Sequence, residues 1–227
     1  MARVEFSELD KIIRDLSSET RIAKDGSIPL SQFLNLLSNF ADKANSFTES
    51  DLSLFTKSFQ QYLNRRTFKT CRETVNVGDI FNVDFGINYE PEMSYNHPAL
   101  ILEVVGDLVL VVPTSTSPSK LSNAYHPKNN PSGCWYYYEV SKSDGFAEKC
   151  TLILGNVCTI SQGRLLEKKG HLTEDINKNN SLYKQVKHII LEKVFYREYN
   201  SLTNELCDLT NQNKKLLEEI KSLKNKE

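Results

Sequence analysis

The side chains best placed for chemistry lie in three short runs between Val77 and Thr116. Val77-Gly78-Asp79-Ile80-Phe81-Asn82-Val83-Asp84-Phe85-Gly86 comes first, followed by Asn96-His97-Pro98-Ala99-Leu100-Ile101-Leu102 and then Val111-Val112-Pro113-Thr114-Ser115-Thr116. His97 is fit for either proton role, because an imidazole with a pKa near ~6.5 gives or takes a proton close to neutrality. The hydroxyls of Thr114, Ser115 and Thr116 can hydrogen-bond an anion or the charge of a transition state. The elements that must position them read as strands. Phe81, Val83 and Phe85 alternate with Asn82 and Asp84, the period of a strand with one buried face. A second strand is expected from Pro98 to Val105, since a first residue needs no ladder donor. Gly106-Asp107 then links it to the run Leu108 to Val112, a II′ hairpin signal. His97 therefore precedes the first strand of an antiparallel pair and Ser115 follows the second, so the two ends lie side by side. The same residues also suit a turn cap and a solvated strand exit.

This order resembles the MazF/PemK family of toxin ribonucleases, whose pattern runs Gly-Asp, strand, loop, Arg-Pro and four apolar residues, strand, Pro-x-Thr, and a later Gln-(Ile/Val)-x-(Thr/Ser)-Ile stretch. Here that last element is Asn156-Val157-Cys158-Thr159-Ile160, followed by Gly163-Arg164-Leu165. The resemblance spans about residues 76–168. It implies a small, bent SH3-like β-barrel and metal-independent cleavage of single-stranded RNA through attack by the 2′-hydroxyl, leaving a 2′,3′-cyclic phosphate. His97 stands where the family has arginine, Ser115 where it has threonine, and Asn156 where it has glutamine; the loop acid corresponds to Glu90 or Glu92. Carried over position by position, His97 is the acid/base and Ser115, helped by Thr114 or Thr116, the phosphate-contacting hydroxyl. The same resemblance implies a small antitoxin protein as a partner.

Residues 117–133 hold three prolines and few apolar side chains, and read as a long loop carrying Lys120, Tyr125, His126 and Lys128. Lysines pair with phosphate and tyrosines stack on bases, so Lys120 and Lys128, with Tyr89, Tyr95 and Asn96 before His97, and Asn156 and Arg164 beyond, form the expected RNA-binding set. An ordinary surface loop has the same composition. In the strand-like run 134–140, the face bearing Trp135 and Tyr137 is expected to be core. Arg164 also suits solvation of a helix start. Residues 76–166 carry 5 basic and 9 acidic side chains, a net charge of −4 that gives no footprint for polyanion binding. A local basic patch, or basic residues lent by flanking helices, is required to draw RNA in.

The 5 cysteines, at 71, 134, 150, 158 and 207, form no Cys-x-x-Cys pair, and the 4 histidines are scattered, so neither metal nor cofactor is expected. No apolar stretch is long enough to span a bilayer and the first residues lack a signal-peptide core, which predicts a cytoplasmic protein without membrane association. Three amphipathic helices are expected before the barrel: one from Ser7 with Leu9, Ile12, Ile13 and Leu16 on one face and a Ser7/Asp10 capping box, one with Leu30, Phe33, Leu34 and Leu37, and one from Thr48 with Leu52, Phe55, Phe59, Tyr62 and Leu63. Their faces show no basic recognition surface, which disfavours a DNA-binding regulator.

At the other end, Phe195, Tyr199, Leu202, Leu206, Leu209, Asn213, Leu216, Ile220 and Leu223 follow spacings of four and three, a heptad seam. Asn213 falls at an a position, and Glu219 at g can reach Lys224 at e of a second chain, which predicts a homodimer through residues 195–223; docking of the seam inside one chain is the alternative. The expected fold is α+β, with an N-terminal helical region over 1–74, a MazF/PemK-like β-barrel over 75–170 and a C-terminal helix or coiled coil over 171–227. The expected function is a sequence-selective endoribonuclease of a type II toxin–antitoxin system. The alternative is a noncatalytic barrel adaptor, dimerised by its coiled coil, that binds protein or nucleic acid.

Overall fold

The computed structural model describes residues 4–15, 18, 22–23 and 27–224; Leu16, the last position on the first predicted helical face, and the side chain of Lys224 lie outside the described residues. The chain divides into two units, Met1–Lys57 and Ser58–Glu227. The first holds α1 (Phe6–Ile13), α2 (Ser27–Ala44) and the start of α3 (Glu49–Arg65). Helix α1 begins one residue before the predicted Ser7 and has no side-chain cap, so the Ser7/Asp10 box does not form. Thr48 does cap α3: its Oγ1 accepts the Asp51 N–H at 3.1 Å and donates to Asp51 Oδ2 at 2.7 Å. Phe40 of α2 stacks on Phe55 of α3 with centroids 4.5 Å apart.

The second unit is built on eight strands: β1 (Asp79–Asp84), β2 (Asn96–Val105), β3 (Leu108–Ser115), β4 (Ala124–Tyr125), β5 (Cys134–Val140), β6 (Cys150–Ile153), β7 (Cys158–Ser161) and β8 (Leu165–His171). Their order is β4-β5-β6-β3-β2-β1-β8, with β7 also paired to β3. The expected SH3-like barrel is corrected to an open sheet, because β3 gives residues 108–111 to β7 and 114–115 to β6, and the outer strands β4 and β8 do not meet. The hairpin is as expected: Val105 pairs with Leu108 across a two-residue turn, with Gly106 at φ +57°.

Alternation along the strands sorts the apolar side chains into two clusters. One gathers Ile80, Leu100, Leu102 and Val112 with Val186 and Ile190 of α5 (Leu182–Lys193); the other holds Phe81, Val83, Ala99, Ile101 and Val111. Helix α6 (Tyr196–Lys224) follows α5. Among the described residues no helix is long and apolar enough to cross a membrane.

Three local expectations change. The stretch 117–133 is not structureless: it forms α4 (Pro118–Asn123), β4 and a bridge between His126 and Asn130. Short polar side chains build it, Asn123 Nδ2 donating to Ser119 O and Asn130 Nδ2 to Ala124 O. On β5 the core face is Tyr138 and Val140, whereas Trp135 is 36% exposed. A tyrosine is tolerated there because the Tyr138 hydroxyl donates to Gln185 Oε1 at 2.8 Å. Arg164 ends a short 3-10 turn (Gln162–Arg164) and precedes strand β8, so it does not start a helix.

Candidate functional site

Pairing fixes the first half of the site. Ala99 sits opposite Pro113 in the β2–β3 ladder, and continuing that antiparallel register by two residues in each strand brings His97 opposite Ser115. On the other side of β2, His97 pairs with Val83 of β1. Thr114 Oγ1 donates to Pro98 O at 3.0 Å, and Thr151 Oγ1 to Ser115 O at 3.2 Å, so both strand ends are pinned by hydroxyls.

His97, Ser115 and Thr116 line one cavity of about 350 Å³, closed by Ile80, Glu148 and Cys150 and by Lys169 of β8. Thr114 also borders it, but its hydroxyl is spent on Pro98 and the residue is buried, so its part is structural. Ser115 is half-buried, and its Oγ accepts the Ser117 N–H at 3.3 Å; Thr116 is exposed. Burial lowers the His97 pKa, the Lys120 ammonium lowers it further, and a hydrogen bond to the Thr114 main chain works against both. The ring is therefore neutral at neutral pH and able to accept a proton. Cys150 is no competing nucleophile, since burial pushes its thiol up to about 12.

The sequence did not point to Lys169. It lies on a strand that carries Glu167, Lys168, Lys169 and His171 and so shows no apolar alternation. The only signal was three basic side chains among four residues. Its ammonium binds Glu167 Oε2 at 2.6 Å and borders the cavity that holds His97.

The expected RNA-binding residues do not all join this cavity. Asn156 and Arg164 line a separate cavity of about 590 Å³ with Phe85, Asn88, Glu92 and Cys158, and among the described residues none borders both. Asn156 Nδ2 donates to Pro91 O at 3.2 Å, and Arg164 Nη1 donates to Phe85 O at 2.6 Å, so both side chains brace the segment between β1 and β2. Glu92, one of the two loop acids, belongs with them and not with His97.

Asn96 is placed differently from the others: its side-chain oxygen and nitrogen are buried, with no hydrogen-bond partner among the described residues. Tyr95 takes φ +64° and closes the loop by exchanging main-chain bonds with Phe85 and Gly86. Tyr89 is 88% exposed and free to stack. Lys120 acts on His97 through its charge. Lys128 is exposed, with its N–H donated to His126 Nδ1.

No family model matches the chain, and no curated protein matches it. Among solved structures, the Mycobacterium tuberculosis toxin MazF-mt6 is similar over 52% of this chain and 95% of its own, at 16% identity and a TM-score of 0.34. So loose a likeness decides no activity. The chemistry rests on the side chains: the His97 imidazole, the hydroxyls of Ser115 and Thr116, the Lys169 ammonium and the Glu148 carboxylate line one cavity, and Lys120, outside that lining, acts on His97 through its charge.

Proposed function

We propose that the protein is a metal-independent, sequence-selective endoribonuclease that cleaves single-stranded RNA. The observation that carries this reading is the convergence of His97, Ser115, Thr116 and Lys169 on one cavity. The neutral imidazole takes the 2′-hydroxyl proton as the 2′-oxygen attacks phosphorus. The bond from phosphorus to the 5′-oxygen breaks, and the imidazolium returns a proton to that departing oxygen. The products are a 2′,3′-cyclic phosphate and a 5′-hydroxyl. The hydroxyls of Ser115 and Thr116 donate to the charged phosphorane, and Lys120 and Lys169 offset its charge.

Together with the ordered motifs over 76–168, this reading makes the protein a cytoplasmic toxin of a type II toxin–antitoxin pair, restrained by a small antitoxin and dimeric through residues 195–223. Purified protein and its His97→Ala variant, incubated in EDTA with a long mixed-sequence RNA, test the activity. Discrete new 5′-hydroxyl ends made only by the parent protein support it. Intact RNA at high protein excess removes it and leaves the noncatalytic adaptor.

A further inference from the structure

A third cavity, of about 240 Å³, lies where the end of α3 meets the segment before β8. Three guanidinium groups border it, those of Arg65, Arg66 and Arg164, against the single carboxylate of Asp84. Arg65 donates through Nε to Gly163 O at 3.0 Å and through Nη2 to Leu165 O at 2.6 Å, and Arg164 Nη1 donates to Phe85 O and Asp84 O. Neutral carbonyls thus fix both heads in place without neutralising them. Asp84 Oδ1 is already engaged, accepting the Ser58 hydroxyl at 2.8 Å and the Gly86 N–H at 3.1 Å. Among the described residues no ion pair reaches any of the three arginines.

We propose that Arg65, Arg66 and Arg164 form a phosphate subsite for single-stranded RNA, separate from the His97 cavity and supplied in part by the helical extension. Planar guanidinium forks match phosphate oxygens, and three cations facing one carboxylate leave a net positive charge that an anion can offset. Tyr62 (58% exposed) and Phe68 (38% exposed) border the same cavity and offer faces on which a base can stack. Arg164 and Ser161 line this cavity and the 590 Å³ one alike, so the two join into a continuous run suited to a chain of nucleotides and not to one mononucleotide. The subsite also answers the charge problem: residues 76–166 carry a net charge of −4, and Arg65 and Arg66, at and just past the end of α3, add cations from outside that segment.

The inference rests on the RNA reading above but does not need cleavage. The test uses the full-length His97→Ala protein, a fluorescein-labelled mixed-sequence 12-nucleotide RNA and fluorescence anisotropy across a series of KCl concentrations. Adding Arg66→Gln is expected to weaken binding by about 5- to 10-fold and to flatten the slope of log affinity against log salt by about 0.7, the loss of one phosphate contact to a single strand. Adding Tyr62→Ala is expected to weaken binding by roughly 5-fold or more with the slope unchanged. Parental affinity and slope in the Arg66→Gln protein overturn the subsite. So does adenosine monophosphate displacing the RNA at concentrations near the RNA's own dissociation constant, which marks a mononucleotide pocket. RNA that is bound in an Arg66-dependent way yet never cut by the parent protein keeps the subsite while the nuclease reading falls.

Discussion

At neutral pH the His97 imidazole is uncharged, held so first by burial and then by Lys120. A general base must be neutral in the free enzyme, so kcat/KM for RNA cleavage is expected to rise with pH through a value below the ordinary histidine range and to level off above it. Lys120→Gln removes a positive charge beside the ring, which lets the pKa rise and moves the acid limb to higher pH. A limb that stays put or moves lower removes Lys120 from the site. Asp79 is a second charged residue with a measurable role. Burial raises its pKa, but Lys168 Nζ at 2.6 Å, the Asn76 N–H at 2.9 Å and His171 Nδ1 at 2.7 Å outweigh that and hold it below the usual carboxylate range. A lowered folded pKa means a contribution fully present above about pH 4 and lost as pH falls through the folded value. Asp79→Asn is expected to cost about 2 kcal/mol at pH 7, less than a fully buried pair because Lys168 is one-third exposed. Urea unfolding should show the gap between parent and variant closing at pH 3. A gap that persists unchanged there shows that the carboxylate's charge is not what stabilises the fold.

At the scale of elements, two turn glycines separate backbone need from crowding. Gly145 has φ +104°, and a Cβ added to it lies 2.0 Å from His171 O, so Gly145→Ala forces the turn away from the end of β8. Gly106 has φ +57° and nothing within 4 Å. Gly145→Ala is expected to cost roughly 3 kcal/mol and Gly106→Ala about 1 kcal/mol in urea unfolding; equal losses would show that crowding against β8 adds nothing. The contrast also shows what was legible beforehand. Strands β1 to β3 could be read because their apolar residues alternate and Gly106-Asp107 closes a two-residue turn, which brings the two strand ends together; the bulge between Ile101 and Glu103, which the sequence did not show, sets the register that puts His97 opposite Ser115. Strand β8 was not legible, since Glu167, Lys168, Lys169 and His171 reach solvent or ion pairs and leave no apolar period, and Lys169 was missed with it. Arg65 and Arg66 were missed because α3 and Gly163 lie nearly 100 residues apart in sequence (|i−j| = 98) and meet only through tertiary packing. The burial of Asn96 was not legible for a related reason: composition marks a polar residue before a strand but not whether its amide is buried.

For the whole molecule, the open question is what covers α6. Every residue from 201 to 223 is exposed, including Leu202 at 67%, Leu206 at 65%, Leu216 at 55% and Leu223 at 64%. A solitary helix gains no burial to offset its ordering, so such an apolar seam calls for a partner surface. A second copy would supply one, with Leu206, Asn213 and Ile220 at a positions and Leu202, Leu209, Leu216 and Leu223 at d. In a parallel pair the two Asn213 amides meet, which fixes register and favours two strands over three or more. Sedimentation equilibrium of the full chain is expected to give twice its 26.0 kDa mass. The double variant Leu209→Glu with Leu216→Glu is expected to sediment as a monomer with reduced helical circular dichroism. Asn213→Leu is expected to remain associated and to shift toward larger species, because the residue that penalises other registers and stoichiometries has gone. A parent protein that is monomeric at tens of micromolar rules out the coiled coil. Dimeric behaviour in the double-glutamate variant instead places the contact elsewhere, on the sheet domain or the N-terminal helices, and leaves the α6 seam for another protein.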